Sequence, residues 1–216
     1  MKHARAGSAG FTLLEMTIGI GVLGLVMWMA GSVTRSSRTA YGTSSLQQAA
    51  ETKARRAVDK LVAELAAAGE ATLIVPGVPG PEDGIEFLKA TGVVAGAVAW
   101  SAPVRIVSEL DPGEAHDGLD DDGDGAIDER RLVIVRDAGL PAERRIVVCK
   151  GVASLLEGES EDGDDDNGNG LVDEAGFSIT LAAKVLTIRL SVEEHGGDGG
   201  VAIATVETAV RLRMED

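Results

Sequence analysis

Two short acidic segments contain the residue types and spacing that could do chemistry. Residues 117–129 read DGLDDDGDGAIDE and hold seven acids and no base, and residues 162–174 read DGDDDNGNGLVDE and hold six acids and no base. The two segments align without a gap at an offset of 45 residues, and three glycines keep the same positions in both. A tract selected only for charge would not need to conserve these glycines, so the pattern indicates a repeated motif with a shared role.

The spacing of oxygen-bearing side chains in each segment is typical of a calcium loop. Acidic or amide residues occupy positions 1, 3 and 5, and glycine follows at position 6. Ca²⁺ takes six to eight oxygen ligands and the glycine permits a sharp turn, whereas Mg²⁺ prefers to keep its waters in a strict octahedron. We therefore predict two bound Ca²⁺, one per loop. The predicted ligands are Asp120, Asp122, Asp124, the carbonyl of Ala126, and Asp128 or Glu129 in the first loop, and Asp165, Asn167, Asn169, the carbonyl of Leu171, and Asp173 or Glu174 in the second.

These loops depart from the EF-hand pattern. Position 12, which is a bidentate glutamate in an EF-hand, is Arg131 in the first loop and Gly176 in the second. The flanking segments also read as strands, so the loops are more similar to compact calcium-binding repeats of extracellular proteins. The alternative is that both segments are solvated acidic loops that bind no ligand.

Overall composition excludes several classes of function. The formal charge is −15, of which the two segments supply −13, and this excess of acid repels the phosphates of nucleic acids. The single cysteine excludes an internal disulfide and a multi-cysteine zinc site. No catalytic motif stands in a convincing context, although a Ser/His/Asp site assembled from distant positions remains open. We expect a protein that is not an enzyme and has no nucleic-acid partner.

The N-terminal segment predicts a membrane-spanning helix over residues 11–34. The 19 residues from Met16 to Thr34 carry no charge, and as a helix they cover about 29 Å, close to the ~30 Å hydrocarbon core. Glu15 lies just inside this stretch, where an ionised carboxylate costs roughly 2–3 kcal/mol unless it finds a partner, and its own helix offers no visible one. Two alternatives are an interfacial glutamate and a secretory signal peptide cut near residues 30–32, although the apolar run is long for the latter.

A family resemblance is carried by Gly10-Phe11-Thr12-Leu13-Leu14-Glu15, which follows a short basic leader and precedes the apolar run. This sequence resembles the processing site of the type IV pilin and type II secretion pseudopilin superfamily. The resemblance implies that residues 1–10 are a leader and that prepilin peptidase cuts between Gly10 and Phe11. It also implies that Phe11 becomes the N-methylated amino terminus and that Glu15 faces the terminal amine of a neighbouring subunit. It covers residues 1 to about 35 strongly and the remainder loosely; the head is most similar to those of J-type pseudopilins and PilW-like minor pilins.

The remainder of the chain predicts a helical stalk followed by a β-rich head. Residues 35–70 contain no proline, and Val58, Leu61, Val62 and Leu65 have the spacing of an amphipathic helix. Residues 71–216 contain short apolar runs separated by turn residues, so we predict an α+β fold: a long N-terminal helix packed on an antiparallel sheet, as in pilins. The runs are IEFLKA, VVAGAVAW, VRIVSEL, RLVIVRD, RRIVVCKG, FSITLA, KVLTIRLSV and VAIATVETAVRLRM, of which the last two predict a closing hairpin.

The function expected from these features is that of a minor pilin or pseudopilin, a structural subunit of a type II secretion pseudopilus or a type IV pilus. It would be a single-pass inner-membrane protein with a periplasmic head, and would enter a filament on assembly. The expected partners are other pilin or pseudopilin subunits, prepilin peptidase and the inner membrane. The alternative is a calcium-dependent binding or adhesion module that uses a pilin-like stem as its membrane anchor.

Overall fold

The structure is a computed structural model that describes residues 12–74, 84–123, 125–168, 170–182, 184–197 and 199–212. It divides into two compact units, Met1–Gly42 and Thr43–Asp216. One long helix and an antiparallel sheet confirm the α+β class. The elements are α1 (Leu13–Leu65), a 3₁₀ turn (Glu70–Thr72), β1 (Gly84–Phe87), β2 (Ala90–Val94), β3 (Ala97–Trp100), β4 (Val104–Leu110), β5 (Arg130–Arg136), β6 (Arg144–Val152), β7 (Phe177–Ala182), β8 (Val185–His195) and β9 (Val201–Arg211).

The second half of α1 packs on the sheet through the predicted apolar stripe. Val58, Leu61 and Leu65 are buried in the main core, and Val62 packs partly buried beside them. Small residues one turn earlier, such as Ala54, allow close approach to the strands. Cys149 on β6 belongs to the same core, where burial raises the pKa of its thiol to about 11. The single cysteine of the chain is therefore a buried core residue.

The sheet has the strand order β1-β4-β5-β6-β8-β7, and β9 pairs with β8. Every pair is antiparallel. The closing hairpin of β8 and β9 is paired from Val185↔Arg211 to His195↔Val201, as the sequence predicts. Along β8, Leu186, Ile188 and Leu190 are fully buried, which confirms the predicted apolar face. Strand β8 pairs with β6, β7 and β9, and its buried face contributes to the core.

One predicted strand is wrong. The run VVAGAVAW folds as a tight hairpin of β2 and β3 rather than as one strand. Ala95 and Gly96 form its turn with φ angles of 53° and 85°, and two consecutive positive φ angles are typical of the two-residue turns that match strand twist. Alanine is a poor signal for such a turn, so the apolar run concealed it.

The sheet places the two acidic segments in different kinds of connection. The first joins the paired strands β4 and β5, and the second joins β6 to β7, which both pair with β8. The end of the second connection is constrained by Gly176, because a Cβ atom there would lie 1.9 Å from the carbonyl oxygen of Ala153. Its backbone N–H donates to the carbonyl of Ser154 at 3.1 Å, and its carbonyl accepts from Ser191 at 2.7 Å. Only glycine fits where the two ends of this connection meet.

Candidate metal centres

Both acidic loops fold around an aspartate that binds glycine N–H groups. In the first loop, Asp120 accepts the N–H of Gly123 at 2.7 Å through one carboxylate oxygen and the N–H of Gly125 at 3.0 Å through the other. Gly125 has a φ of 97°, a conformation that glycine adopts without strain. The second loop repeats this geometry with Asp165, Gly168 and Gly170, at 2.7 and 2.8 Å. The predicted equivalence of the two segments is therefore preserved in their backbone structure.

A second aspartate closes each loop. Asp128 accepts the N–H groups of Asp117 and Gly118 at 3.0–3.2 Å, so that it joins the end of the loop to its beginning. Asp173 makes the same contacts with Asp162 and Gly163 at 3.0–3.2 Å. The structure thus shows Asp128 and Asp173 in a loop-closing position, and their contribution to metal binding stays a prediction.

Sequence reasoning missed a glutamate upstream of each loop. One carboxylate oxygen of Glu114 accepts the N–H groups of Asp121 and Asp122 at 3.2 and 3.0 Å. Glu159 accepts the N–H of Asn167 in the same way at 3.1 Å. The other oxygen of each glutamate, Oε2, is buried and has no hydrogen-bond partner among the described residues. The signal was present, because Gly113-Glu114 and Gly158-Glu159 also align at the offset of 45, but these residues lie outside the dense acidic tracts.

The upstream glutamate completes a cluster of carboxylates in the first loop. Glu114, Asp120 and Asp122 each offer an oxygen, and these three atoms lie within 4.8 Å of one another. Oxygens that bind one Ca²⁺ at 2.3–2.6 Å lie at most about 5 Å apart, so the spacing fits a shared ion. The equivalent residues of the second loop are Glu159, Asp165 and Asn167, which replace one carboxylate with an amide. The first cluster therefore carries one more negative charge.

A buried glutamate ends each loop. Glu129 and Glu174 are 3% and 1% exposed. Their carbonyls accept the N–H groups of Asp111 and Leu156 at 3.0 and 2.9 Å, which closes the base of each connection. Neither carboxylate oxygen of Glu174 has a hydrogen-bond partner within the part of the chain that the structure describes. Of the other predicted ligands, Ala126 is buried, Leu171 is half-buried, and Asp124 and Asn169 lie outside the described residues.

A cavity of about 200 Å³ is lined by residues from both loop regions. His116 and Asp128 contribute from the first, and Glu161 and Asp173 contribute from the second. The Nδ1 atom of His116 lies 3.6 Å from a carboxylate oxygen of Asp128. The two acidic loops are therefore neighbours in the head.

The start of α1 gives Glu15 a partner that the sequence analysis did not expect. Glu15 accepts hydrogen bonds at 2.9 Å from both the N–H and the hydroxyl of Thr12, and the Thr12 hydroxyl oxygen accepts the N–H of Glu15 at 3.3 Å. This reciprocal pair is a capping box, in which each side chain satisfies donors at the helix start. These donors are neutral, so the expectation that its own helix offers no partner for the charge of Glu15 is not contradicted. Gly10 and Phe11, at the predicted cleavage site, lie outside the described residues.

Helix α1 is also the one helix of the described residues that is long and apolar enough to cross a membrane, judged by length and composition. Its first half exposes large apolar side chains, among them Leu13, Trp28 and Val33. Comparison with protein-family models, with curated proteins and with solved structures found no match. The function of this chain has to be argued from its own residues.

Proposed function

We propose that this protein is a membrane-anchored subunit of a type IV pilin-type filament, a minor pilin or pseudopilin with a periplasmic head. The observation that supports the proposal most is the difference in exposure between the two halves of α1. Its first half exposes apolar side chains on all sides, whereas its second half buries one stripe in the core of its own unit. A water-soluble protein rarely exposes so much contiguous apolar surface, which is typical of a segment that lies in lipid or among other subunits.

The sequence around the helix start supports the same proposal. A carboxylate within an apolar segment is costly, and such residues commonly serve a function. The capping box satisfies one oxygen of Glu15 with neutral donors and leaves its negative charge without a cation in the described contacts of its own helix. A free amine at a processed N-terminus of a neighbouring subunit would supply that cation. The pilin-like motif GFTLLE places a cleavage site four residues before Glu15.

Processing and assembly provide the test, and the capping box sharpens it. We expect the mature chain to begin at methylated Phe11 when prepilin peptidase is present, and to keep its leader when Gly10 is replaced by leucine. Glu15→Gln keeps the hydrogen bonds to Thr12 but removes the charge, whereas Glu15→Leu removes both. Both variants should insert into the membrane normally and should crosslink poorly into filaments, since both lack the charge that would bind the amine. N-terminal mass analysis and crosslinking measure these outcomes.

Three results would contradict this proposal. A mature N-terminus near Gly31 would establish an ordinary signal peptide. Normal crosslinking of Glu15→Gln, together with a defect in Glu15→Leu, would assign Glu15 to helix capping alone. Ligand binding by the membrane-held protein that persists without any filament assembly would instead favour the binding or adhesion module.

A further inference from the structure

We infer that each acidic loop binds one Ca²⁺ through a ligand set that includes the upstream glutamate, Glu114 in the first loop and Glu159 in the second. This inference does not depend on the filament function. It changes the ligand set expected from the sequence, because the cage then draws on the segment before the acidic tract as well as on the tract itself. The cation would tie that segment to the loop.

The two carboxylate oxygens of each upstream glutamate have different surroundings. In Glu114, one oxygen accepts backbone N–H groups at 3.0 and 3.2 Å, and this fixes the orientation of the carboxylate. The second oxygen is buried, and nothing in the described residues donates to it. The carboxylate of Glu114 also belongs to the cluster with Asp120 and Asp122. Glu159 has the same division between a bonded and an unpartnered oxygen. An oriented carboxylate with one dehydrated oxygen, close to other anions, is unfavourable unless a cation binds there.

A second, separate observation comes from the base of the second loop. Glu174 is 1% exposed, and both of its carboxylate oxygens are without a partner in the described chain. None of the ion pairs found among those residues includes Glu174, Glu159 or Glu114. Glu174 lies where the ends of the loop meet, and its carbonyl accepts the N–H of Leu156 at 2.9 Å. Buried carboxylates are normally paired or bound to metal, so this one is a suitable cation ligand.

The donor set selects the type of ion. The clustered groups of the first loop are three carboxylates, and neither histidine nor cysteine belongs to that cluster. Oxygen-only sites favour Ca²⁺ or Mg²⁺ over Zn²⁺, which prefers nitrogen and sulfur ligands. A flexible loop that offers several carboxylates suits the larger and more variable coordination shell of Ca²⁺. Since Asn167 replaces Asp122 in the repeat, the first site should bind more tightly.

The test uses the full-length protein in detergent, titrated with Ca²⁺ alone and followed by calorimetry and native mass spectrometry. We expect two bound Ca²⁺ per chain. Glu114→Gln and Glu159→Gln should each weaken one site by roughly tenfold or more, because affinity follows the number of charged ligands. Glutamine keeps an oxygen for the backbone N–H groups, so each loop should stay folded.

Matched control variants distinguish the loss of a metal ligand from the loss of one negative charge elsewhere in the same loop. Asp121→Asn and Asp166→Asn each remove one negative charge from the same loops, and they occupy equivalent positions at the offset of 45. Asp121 accepts the N–H of Ala115 at 3.1 Å, which asparagine can also do, and Asp166 is exposed. Both controls should still bind two Ca²⁺ with affinities within about threefold of the wild type. The inference is overturned if the wild type binds no Ca²⁺, if it prefers Mg²⁺, or if the glutamate variants and the controls weaken binding equally.

Discussion

Glu64 on α1 and Glu174 at the base of the second loop are both buried glutamates, but their surroundings are opposite. Glu64 is 8% exposed, and its two oxygens bind Lys89 at 2.8 Å and Arg136 at 2.6 Å. Burial raises the pKa of Glu64, but the hydrogen bonds and charges of Lys89 and Arg136 outweigh it, so that the net pKa lies below 4.5. Glu174 has no such pair within the described residues. The helix and sheet supply the cations that bind Glu64, whereas the described residues supply none to Glu174.

The same contrast extends to the surrounding segments. On the sheet, acids and bases alternate in cross-strand pairs, such as Arg131 with Glu109 at 2.7 Å and Arg189 with Glu207 at 2.8 Å. The two acidic tracts contain no base at all. Variants of the two buried glutamates should therefore have opposite effects on stability, and three experiments test this.

The largest effect is expected for Glu64→Gln. The substitution leaves Lys89 and Arg136 without their charged partner, and we expect the free energy of unfolding to fall by about 2 kcal/mol at pH 7. Urea denaturation of the full-length protein in detergent measures this. Glu51→Gln is the control, because Glu51 is exposed and lies 3.8 Å from Arg55, a pair worth less than about 0.5 kcal/mol. Equal losses of unfolding free energy in the two variants would show that the buried ion pairs stabilise the protein no more than the exposed pair does.

The cost of Glu64→Gln should depend on pH. Because the pKa of Glu64 is lower in the folded state than in the unfolded state, the stabilisation is complete above the unfolded value of about 4.5. It is lost as the pH falls through the folded pKa. The stability difference between wild type and variant should therefore be constant from pH 7 to pH 6 and should shrink below about pH 4. A difference that stays constant down to pH 3 would contradict the assigned ion pairs.

A smaller effect of opposite sign is expected for Glu174→Gln. Without Ca²⁺, replacing a buried and unpartnered carboxylate by a neutral amide should raise the free energy of unfolding by about 1 kcal/mol. With millimolar Ca²⁺ the wild type should become the more stable protein, because it gains more from the bound ion. Thermal melting in EGTA and in Ca²⁺ measures both, and the exposed Glu161→Gln is the control. The same sign in both solutions would remove Glu174 from the metal site.

Much of the fold could be predicted because most buried residues belong to periodic apolar patterns in the sequence. The run VRIVSEL is β4 and the run FSITLA is β7, with the same bounds. The failure at Ala95 has a different cause, since turn formation there depends on a backbone conformation that alanine does not indicate. Long apolar runs therefore predict strands well and predict the turns inside them poorly.

The candidate site was predictable to the extent that its residues lie close together in the sequence. The glycine and aspartate positions around Asp120 and Asp165 follow from local spacing. Glu114 and Glu159 were missed because they reach the loops from outside the acidic tracts, and their role depends on how each chain segment folds back. The capping box of Thr12 and Glu15 was present in the sequence as T-x-x-E, but the membrane argument considered only the charge of Glu15.

The packing of α1 has a consequence for biosynthesis. The stripe around Leu61 belongs to the same core as Leu186 and Ile188 on β8, which the ribosome adds about 120 residues later. At typical rates of 5–20 residues per second, these residues of β8 are made about 6–25 seconds after the stripe. During this time the strands from β1 to β7 can supply part of the core, but the apolar helix face lacks the part that β8 contributes. Chaperones that hold unfolded chains therefore have a defined target on this protein until its last hairpin has been synthesised.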